Sequence, residues 1–413
     1  MSHAPFLGEI EDWLIDKALG DADIPAVFEI LCQRLHALGV PLDRARLSWA
    51  TLHPLFRSEQ VFWSRETGTR FAQYMHASAN NEAWLVSPLY HVVSHGLPHL
   101  RRHLTGPAAL LDFPVLEEFQ SQGFTDYLVT SLRFRIADVD DVGAGTPGIV
   151  ASWSTKQPDG FTDDDIDVLK RIHRIFGVAC RSTVQKRVSV NLANAYLGPT
   201  AGGRVLAGDI RRGDGERIHA VVWFSDLRAS TQLSDTMDPD DYLALLNCYF
   251  ECTAAPVIHH GGEILNFIGD GVLAIFPISG NPGVAASNAE AAVRATRRLR
   301  AEAVARGTPG GAPLDFGIGL AIGEVKFGNI GVSSRLAFSA IGRVVNLVQR
   351  IETATKTVDR VVLADAGFAA VAPGGWLSDG EVEIRDVARR IEVFTLPEEQ
   401  SVTTTAEAGE HPS

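Results

Sequence analysis

Residues 263–276, EILNFIGDGVLAIF, set two apolar runs on either side of Gly269-Asp270-Gly271. Apolar runs of strand length joined by a glycine-flanked turn form the pattern of a tight β-hairpin. Upstream, residues 221–231, VVWFSDLRAST, read as a buried strand whose C-terminal end delivers Asp226 into a turn followed by Ser230 and Thr231. A helical pattern from about Pro239 to His259 lies between the two segments, so the order is strand, helix, hairpin. Then come a helical pattern through Ala285–Arg306, a strand DFGIGLAIG (315–323) and a helix from about Val344. This alternation predicts an α+β domain that starts at Ile218.

An Asp at a strand end is usually a cap, and an Asp at a hairpin tip is usually a turn residue. Here the two stand 44 residues apart with a helix between them. If strand and hairpin pair in one sheet, Asp226 and Asp270 share a site, and two such carboxylates are what two-metal phosphoryl transfer needs. Backbone N–H groups at the turn before Ser230 and Thr231 would add an anion cradle. In FSAIGRVVNLVQRIE (338–352), Asn346 and Arg350 stand four apart and therefore on one helix face. That pair is either the solvent side of an apolar helix or, through the planar guanidinium, a means of stabilising a pentacovalent phosphate.

The whole chain has 413 residues, 46% hydrophobic and 21% charged, which fits two or three globular domains and excludes a disordered or collagen-like chain. Its formal charge of −13 argues against sequence-independent binding of nucleic acid, which runs on basic surface. Cys32, Cys180, Cys248 and Cys252 are too few for a disulfide framework and fit packed thiols in a reducing cytosol. No signal-peptide pattern opens the chain, and no run approaches the ~18 apolar residues of a membrane span. The expectation is a soluble, cytoplasmic protein with no membrane partner.

Before Ile218 the pattern is mixed. IPAVFEILCQRLHAL (24–38) has helical spacing, and 46–50 and 148–153 read as strands. Trp63, Trp84, Tyr90 and Trp153 are either core aromatics or the lining of a ligand pocket. His91, His95, His99 and His103 recur every four residues, but Gly96 and Pro98 interrupt any single helix through them, so packed or solvated histidines are the better reading than a metal site. Thr162 caps a helix whose first turn holds Asp163, Asp164 and Asp165. Its apolar stripe runs from Ile166 towards Val188, packed within the first domain or serving as a connecting, coiled-coil helix. YLGPTAGGRVLAGDIRRGDGER (196–217) reads as a Gly- and Arg-rich linker.

Residues 218–397 resemble the catalytic domain of class III nucleotidyl cyclases, which convert a nucleoside triphosphate into a 3′,5′-cyclic monophosphate and pyrophosphate. FSDLRAST is similar to the family's first metal motif, IGDG to its second-metal hairpin, VNLVQR to its Asn-x-x-x-Arg motif, and GEVKFGNIG (323–331) to the Gly-rich segment between them. The resemblance implies a ferredoxin-like, palm-like core acting as a homodimer. Asp226, Asp270 and the Leu227 carbonyl would hold two Mg²⁺ or Mn²⁺ ions; Asn346 would orient the ribose and Arg350 would neutralise the α-phosphoryl group, both across the interface. Arg385 stands where the family places a cation on the terminal phosphates. Asn266 and Ser339 occupy the two base-reading positions, where ATP-using members have Lys and Asp or Thr. An amide and a hydroxyl both donate and accept, so either purine edge can be met. ATP is the expected substrate, because no guanine-type Glu is present. The alternatives are a guanylate or other nucleotide cyclase and a catalytically inactive nucleotide-binding regulator. A polymerase or diguanylate cyclase on the same palm is disfavoured by the Asn346/Arg350 pair and by the lack of a GG[DE]EF stretch.

Residues 1–162, closing on FTDDDIDVLKRI, resemble a GAF-like sensor domain, which implies an unidentified ligand. Residues 163–217 would connect it to the catalytic domain, and 398–413 would be a disordered tail.

Overall fold

The computed structural model describes residues 4–20, 23–50, 55–75, 82–134, 148–332, 335–383 and 390–398. Two units divide the chain, 1–195 and 196–413.

The first unit contains α1 (Ala4–Ala18), α2 (Ile24–Ala37), β1 (Arg44–Ala50), β2 (Phe56–Ser64), β3 (Gly68–Met75), α3 (Glu82–Leu85) and α4 (Pro88–Ser94). It continues with β4 (His99–His103), α5 (Pro114–Ser121), β5 (Asp126–Arg133), β6 (Gly148–Thr155) and α6 (Asp163–Leu197). The strands form an antiparallel sheet in the order β3-β2-β1-β6-β5-β4. Because side chains alternate along a strand, Ala45, Leu47, Trp49, Val61, Trp63, Ala151 and Trp153 face one side, where α1, α2 and α6 bury them. On the other side, Leu89, Val92, Leu116 and Phe119 of α4 and α5 pack on Tyr127, Val129 and Val150. Trp63 and Trp153 are thus core residues, while the Trp84 and Tyr90 rings meet edge-on at 5.7 Å. The histidine series is broken as Gly96 requires: α4 ends at Ser94, Gly96 takes φ +65°, and His99 and His103 lie on β4.

Thr162 and Asp165 form a reciprocal cap on α6: Thr162 Oγ1 accepts from Asp165 N at 3.2 Å, and the Asp165 carboxylate accepts from Thr162 N at 2.9 Å. From Ile166 to Val184 this 35-residue helix is part of the first unit's core.

The second unit contains α7 (Pro199–Leu206), β7 (Gly215–Leu227), α8 (Ser230–Thr236), α9 (Pro239–His259), β8 (Glu263–Ile268), β9 (Gly271–Pro277) and α10 (Pro282–Arg306). There follow β10 (Phe316–Val332), β11 (Arg335–Ile341), α11 (Arg343–Thr357), β12 (Val362–Ala364), α12 (Ala366–Ala369), β13 (Leu377–Val382) and β14 (Ile391–Thr395). Within the sheet, β10-β7-β9-β8 are adjacent in that order. Numbered by appearance, this is a β-α-β-β-α-β unit with strand order 4-1-3-2, the ferredoxin-like arrangement. Val221, Trp223, Ala274 and Phe276 face α9 and α10; Ala220, Val222, Leu273 and Ile275 face α11 and α7.

The 196–217 stretch departs from its reading as a linker. Gly198 and Pro199 start α7, which buries Ala201 against the sheet with Leu197 and Val205 alongside, and Gly215 already belongs to β7. Burial of a few apolar side chains outweighs the low helix propensity of Gly202 and Gly203. Arg385 and the tail beyond residue 398 lie outside the described residues.

Candidate active site

Asp226 occupies the next-to-last position of β7, in register with Gly271 at the start of β9. Gly269 and Asp270 form the two-residue tip of the β8–β9 hairpin, with Gly269 at φ +61°, a conformation that disfavours other residues. Gly271 is held to glycine by contact: a Cβ there would stand 2.9 Å from the Phe224 ring and 3.3 Å from Asp226 Oδ1. The pairing brings the two carboxyl groups into a hydrogen bond. Burial first, and then the Asp270 charge, push Asp226 up to about 6, while Lys356, with Nζ 3.9 Å from Asp226 Oδ2, pulls it down. Burial and the same two carboxylates raise the Tyr242 hydroxyl on α9. Two facing carboxylates form an all-oxygen donor set suited to a hard divalent cation.

α11 approaches the sheet closely because β10 has no side chain beneath it at two positions. A Cβ at Gly319 would collide with the Val348 carbonyl and lie 2.8 Å from Glu352 N; one at Gly317 would collide with the side chains of Glu352 and Thr355. Glu352 is thereby buried, and burial pushes its carboxyl up to about 7, with Lys356 opposing and Asp226 adding to the shift. Arg228, just beyond β7, donates to the Arg360 carbonyl at 2.7 Å and the Thr355 carbonyl at 3.4 Å, pinning the C-terminal end of α11 beside Asp226.

Asn346 and Arg350 lie nearer the other end of α11, on the wall of an 820 Å³ cavity lined also by Arg217, Glu324, Lys326 and Leu347. Neither Asp226 nor Asp270 is part of that lining. At 1.5 Å per residue, Asn346 is about 15 Å along the axis from Lys356, the residue that touches Asp226. One chain therefore brings the two carboxylates together and Asn346 and Arg350 together, at separate places.

The remaining expected residues fall around these two centres. Leu227 is buried at the end of β7, and Ser230 and Thr231 open α8 after a turn in which Ala229 takes φ +57°. Asn266 is exposed on β8, and Ser339 is half-buried on β11, which contacts β8. Lys356, Glu352 and Tyr242 were not singled out from the sequence. A signal for Lys356 exists: positions 346, 350, 353 and 356 follow one face of α11 at three- and four-residue steps.

A family model described as "Adenylate and Guanylate cyclase catalytic domain" matches residues 216–370, the segment from β7 to just past α12. It spans Asp226, Asp270, Asn346 and Arg350. This segment belongs to the class III nucleotidyl cyclases. An uncharacterized protein of Mycobacterium tuberculosis is 34% identical over 152 residues, 37% of this chain and 27% of that protein. The adenylate cyclase of Anabaena cylindrica is 33% identical over 137 residues, 33% of this chain and 27% of that protein. Among solved structures, the adenylyl cyclase CyaB from P. aeruginosa is similar at 25% identity with a TM-score of 0.38, covering 44% of this chain and 95% of that one. The chain spans only about a quarter of the length of the curated relatives named here, 27% in each case, and the match lies in the cyclase segment. Among the described residues, no helix is long and apolar enough to cross a membrane.

Proposed function

We propose that the protein is a nucleotidyl cyclase that converts ATP into 3′,5′-cyclic AMP and pyrophosphate at sites shared between two copies of the chain. The observation that carries this reading is the Asp226–Asp270 pair at the β7 end and hairpin tip, within a segment that belongs to the cyclase family. Two divalent cations, Mg²⁺ or Mn²⁺, would be held by Asp226, Asp270 and the Leu227 carbonyl, and they supply the charge that acidifies the ribose 3′-hydroxyl and offsets the triphosphate.

In the reaction, the 3′-oxygen loses its proton and bonds to the α-phosphorus, and the bond from that phosphorus to the α,β-bridging oxygen breaks to release pyrophosphate. Arg350 presents its guanidinium fork to the α-phosphoryl oxygens as charge develops there. Asn346 hydrogen-bonds the ribose and so holds the 3′-hydroxyl in line. Ser230 and Thr231 border the phosphates on the carboxylate side, and Arg385 engages their far end. Asn266 and Ser339 read the base edge.

The separation along α11 supports a dimer, in which a second copy would bring an Asn346/Arg350 pair to each Asp226/Asp270 pair. Phe267 and Ile268 beside the hairpin tip and Ile341 at the end of β11 are 51%, 44% and 53% exposed, apolar surface that a second copy would cover. The name of the Anabaena relative supports ATP. Guanylate cyclase activity is the second reading, favoured by the ambivalent hydrogen bonding of Asn266 and Ser339. The N-terminal unit is read as a GAF-like sensor that regulates the cyclase.

The test is to incubate the purified protein with each of the four ribonucleoside triphosphates and Mn²⁺ and identify the product by mass spectrometry. Cyclic AMP in excess is expected; cyclic GMP in excess would select the second reading. No cyclic product from any of the four would overturn the assignment as an enzyme. An Asp226→Ala chain that keeps full activity would remove the metal assignment.

A further inference from the structure

The first unit's second sheet face carries, among the described residues, a cluster of cations without carboxylate partners. Arg44 and Arg46 alternate on β1 and therefore project to the same side as Phe62, the cross-strand neighbour of Arg46, and Arg70, the neighbour of Phe62. The guanidinium carbons of Arg46 and Arg70 lie 5.3 and 4.6 Å from the Phe62 ring, and that of Arg44 lies 4.6 Å from the Phe119 ring. Among the described residues, these three arginines have such ring contacts but no carboxylate partner. Arg101 and Arg102 of β4, across the sheet from them, are by contrast paired with Asp126 and Asp112.

Two buried polar atoms of the same face lack partners. Arg46 Nε and Gln60 Oε1 have no hydrogen-bond partner, and Gln60 is only 3% exposed, opposite the buried Ser48. An unmet polar atom in such a place gives up its hydration with no replacement, so it is rarely retained without a partner. Next to this cluster, a 360 Å³ cavity is lined by Arg44, Phe62, Arg70, Phe124 and Lys156; Arg46 lies outside the lining, against the Phe62 ring, and Gln60 is not part of it. Its acidic rim residues are already engaged: Glu66 with Lys156 at 3.2 Å, and Asp43 with the Lys156 backbone N–H at 2.7 Å. Burial holds the Arg46 guanidinium below its ordinary value, and the Arg44 charge adds to this.

We propose that this face is a binding site for a small molecule bearing a phosphate or carboxylate group, gripped by Arg44, Arg46 and Arg70. Guanidinium forks match both oxyanions in bidentate fashion, and the cavity has the size of a small-ligand site. Phe62 supports the two guanidinium planes and presents ring surface to the rest of the molecule. The site is independent of the cyclase reading, since every residue in it belongs to the first unit.

The test uses the full-length protein in EDTA, so that the carboxylate pair of the second unit recruits no metal-bound anion. Thermal midpoints are measured with 10 mM inorganic phosphate, with 10 mM citrate and with sodium chloride at matched ionic strength. For a dissociation constant near 1 mM, phosphate or citrate raises the midpoint about 3 °C above chloride. The larger of the two shifts identifies the preferred oxyanion. Arg46→Gln and, separately, the exposed Arg70→Gln remove most of the shift, while Asp226→Ala leaves it intact. Midpoints equal to chloride for both probes, or a shift that survives in Arg70→Gln and in a folded Arg46→Gln, would overturn the proposal, as would a shift lost in Asp226→Ala.

Discussion

Mixing two dead chains offers the sharpest examination of the proposed shared site. An Asp226→Ala chain lacks a metal ligand, and an Arg350→Ala chain lacks the phosphoryl-stabilising fork; loss of either contribution reduces turnover by about 10²–10³-fold or more. If the sites lie across a two-fold axis, a heterodimer of the two carries both lesions in one site and neither in the other. Random 1:1 assembly makes about half of all dimers mixed, each with one intact site of two, so the mixture recovers about a quarter of the wild-type activity per chain. Purifying the heterodimer through two different tags raises this to about one half. The geometry behind these figures lies along α11, where Arg350 stands ~9 Å and Asn346 ~15 Å from Lys356, the residue beside Asp226. Product is measured by chromatography with Mn²⁺ and saturating ATP. A tagged heterodimer, shown to be mixed, that is no more active than either single variant would refute the reasoning.

Other consequences are open to simple measurement. Asp226→Asn removes a carboxylate that burial and Asp270 push up to about 6, and it should abolish turnover while raising metal-free stability at pH 7.5. The rise from the ordinary carboxylate value to about 6 sets a ceiling of about 3 kcal/mol, and solvent screening at this half-buried site reduces the gain to about 1–2 kcal/mol in denaturant titrations. For the wild type, a raised carboxyl means that the folded chain binds this proton before the unfolded one does, so this group's contribution grows more favourable as pH falls from 7 to about 4. His173 acts in the opposite sense: burial pushes it down to about 3, so the unfolded chain takes up a proton that the folded one refuses between about pH 6.5 and 3. Stability falls across that window by up to about 4 kcal/mol, and His173→Leu should flatten the acid limb of the unfolding curve. Gly319→Ala places a methyl against the Val348 carbonyl and should lower stability by about 2–3 kcal/mol or leave α11 displaced, seen as a lower thermal midpoint.

How much of this was legible beforehand depended on the kind of contact. The hairpin at 263–276 and the strand ending in Asp226 announce themselves because apolar runs bounded by Gly and Asp have few other uses, and their pairing follows from local order. Asn346 and Arg350 were legible as a pair by helical spacing alone. The proximity of Lys356 to Asp226 was not, because it depends on where α11 crosses the sheet, which Gly317 and Gly319 decide from another strand. α7 hid behind its glycines, since its stability lies in Ala201 and its neighbours meeting the sheet. Arg46 and Gln60 were invisible for a related reason: a polar residue alternating with apolar ones on a strand reads as solvent-facing, yet this one is covered.

The two missing side chains under α11 have one more implication. With the Val348 carbonyl and Glu352 N resting almost on the bare backbone of β10, the helix has no room to slide lengthwise or roll. Arg350 is thereby carried on a helix seated closely against the strand beside Asp226. If the site is shared between two copies as proposed, a switch would act on the pose of one copy against the other, like two gears brought into mesh, rather than by sliding α11 within one catalytic domain.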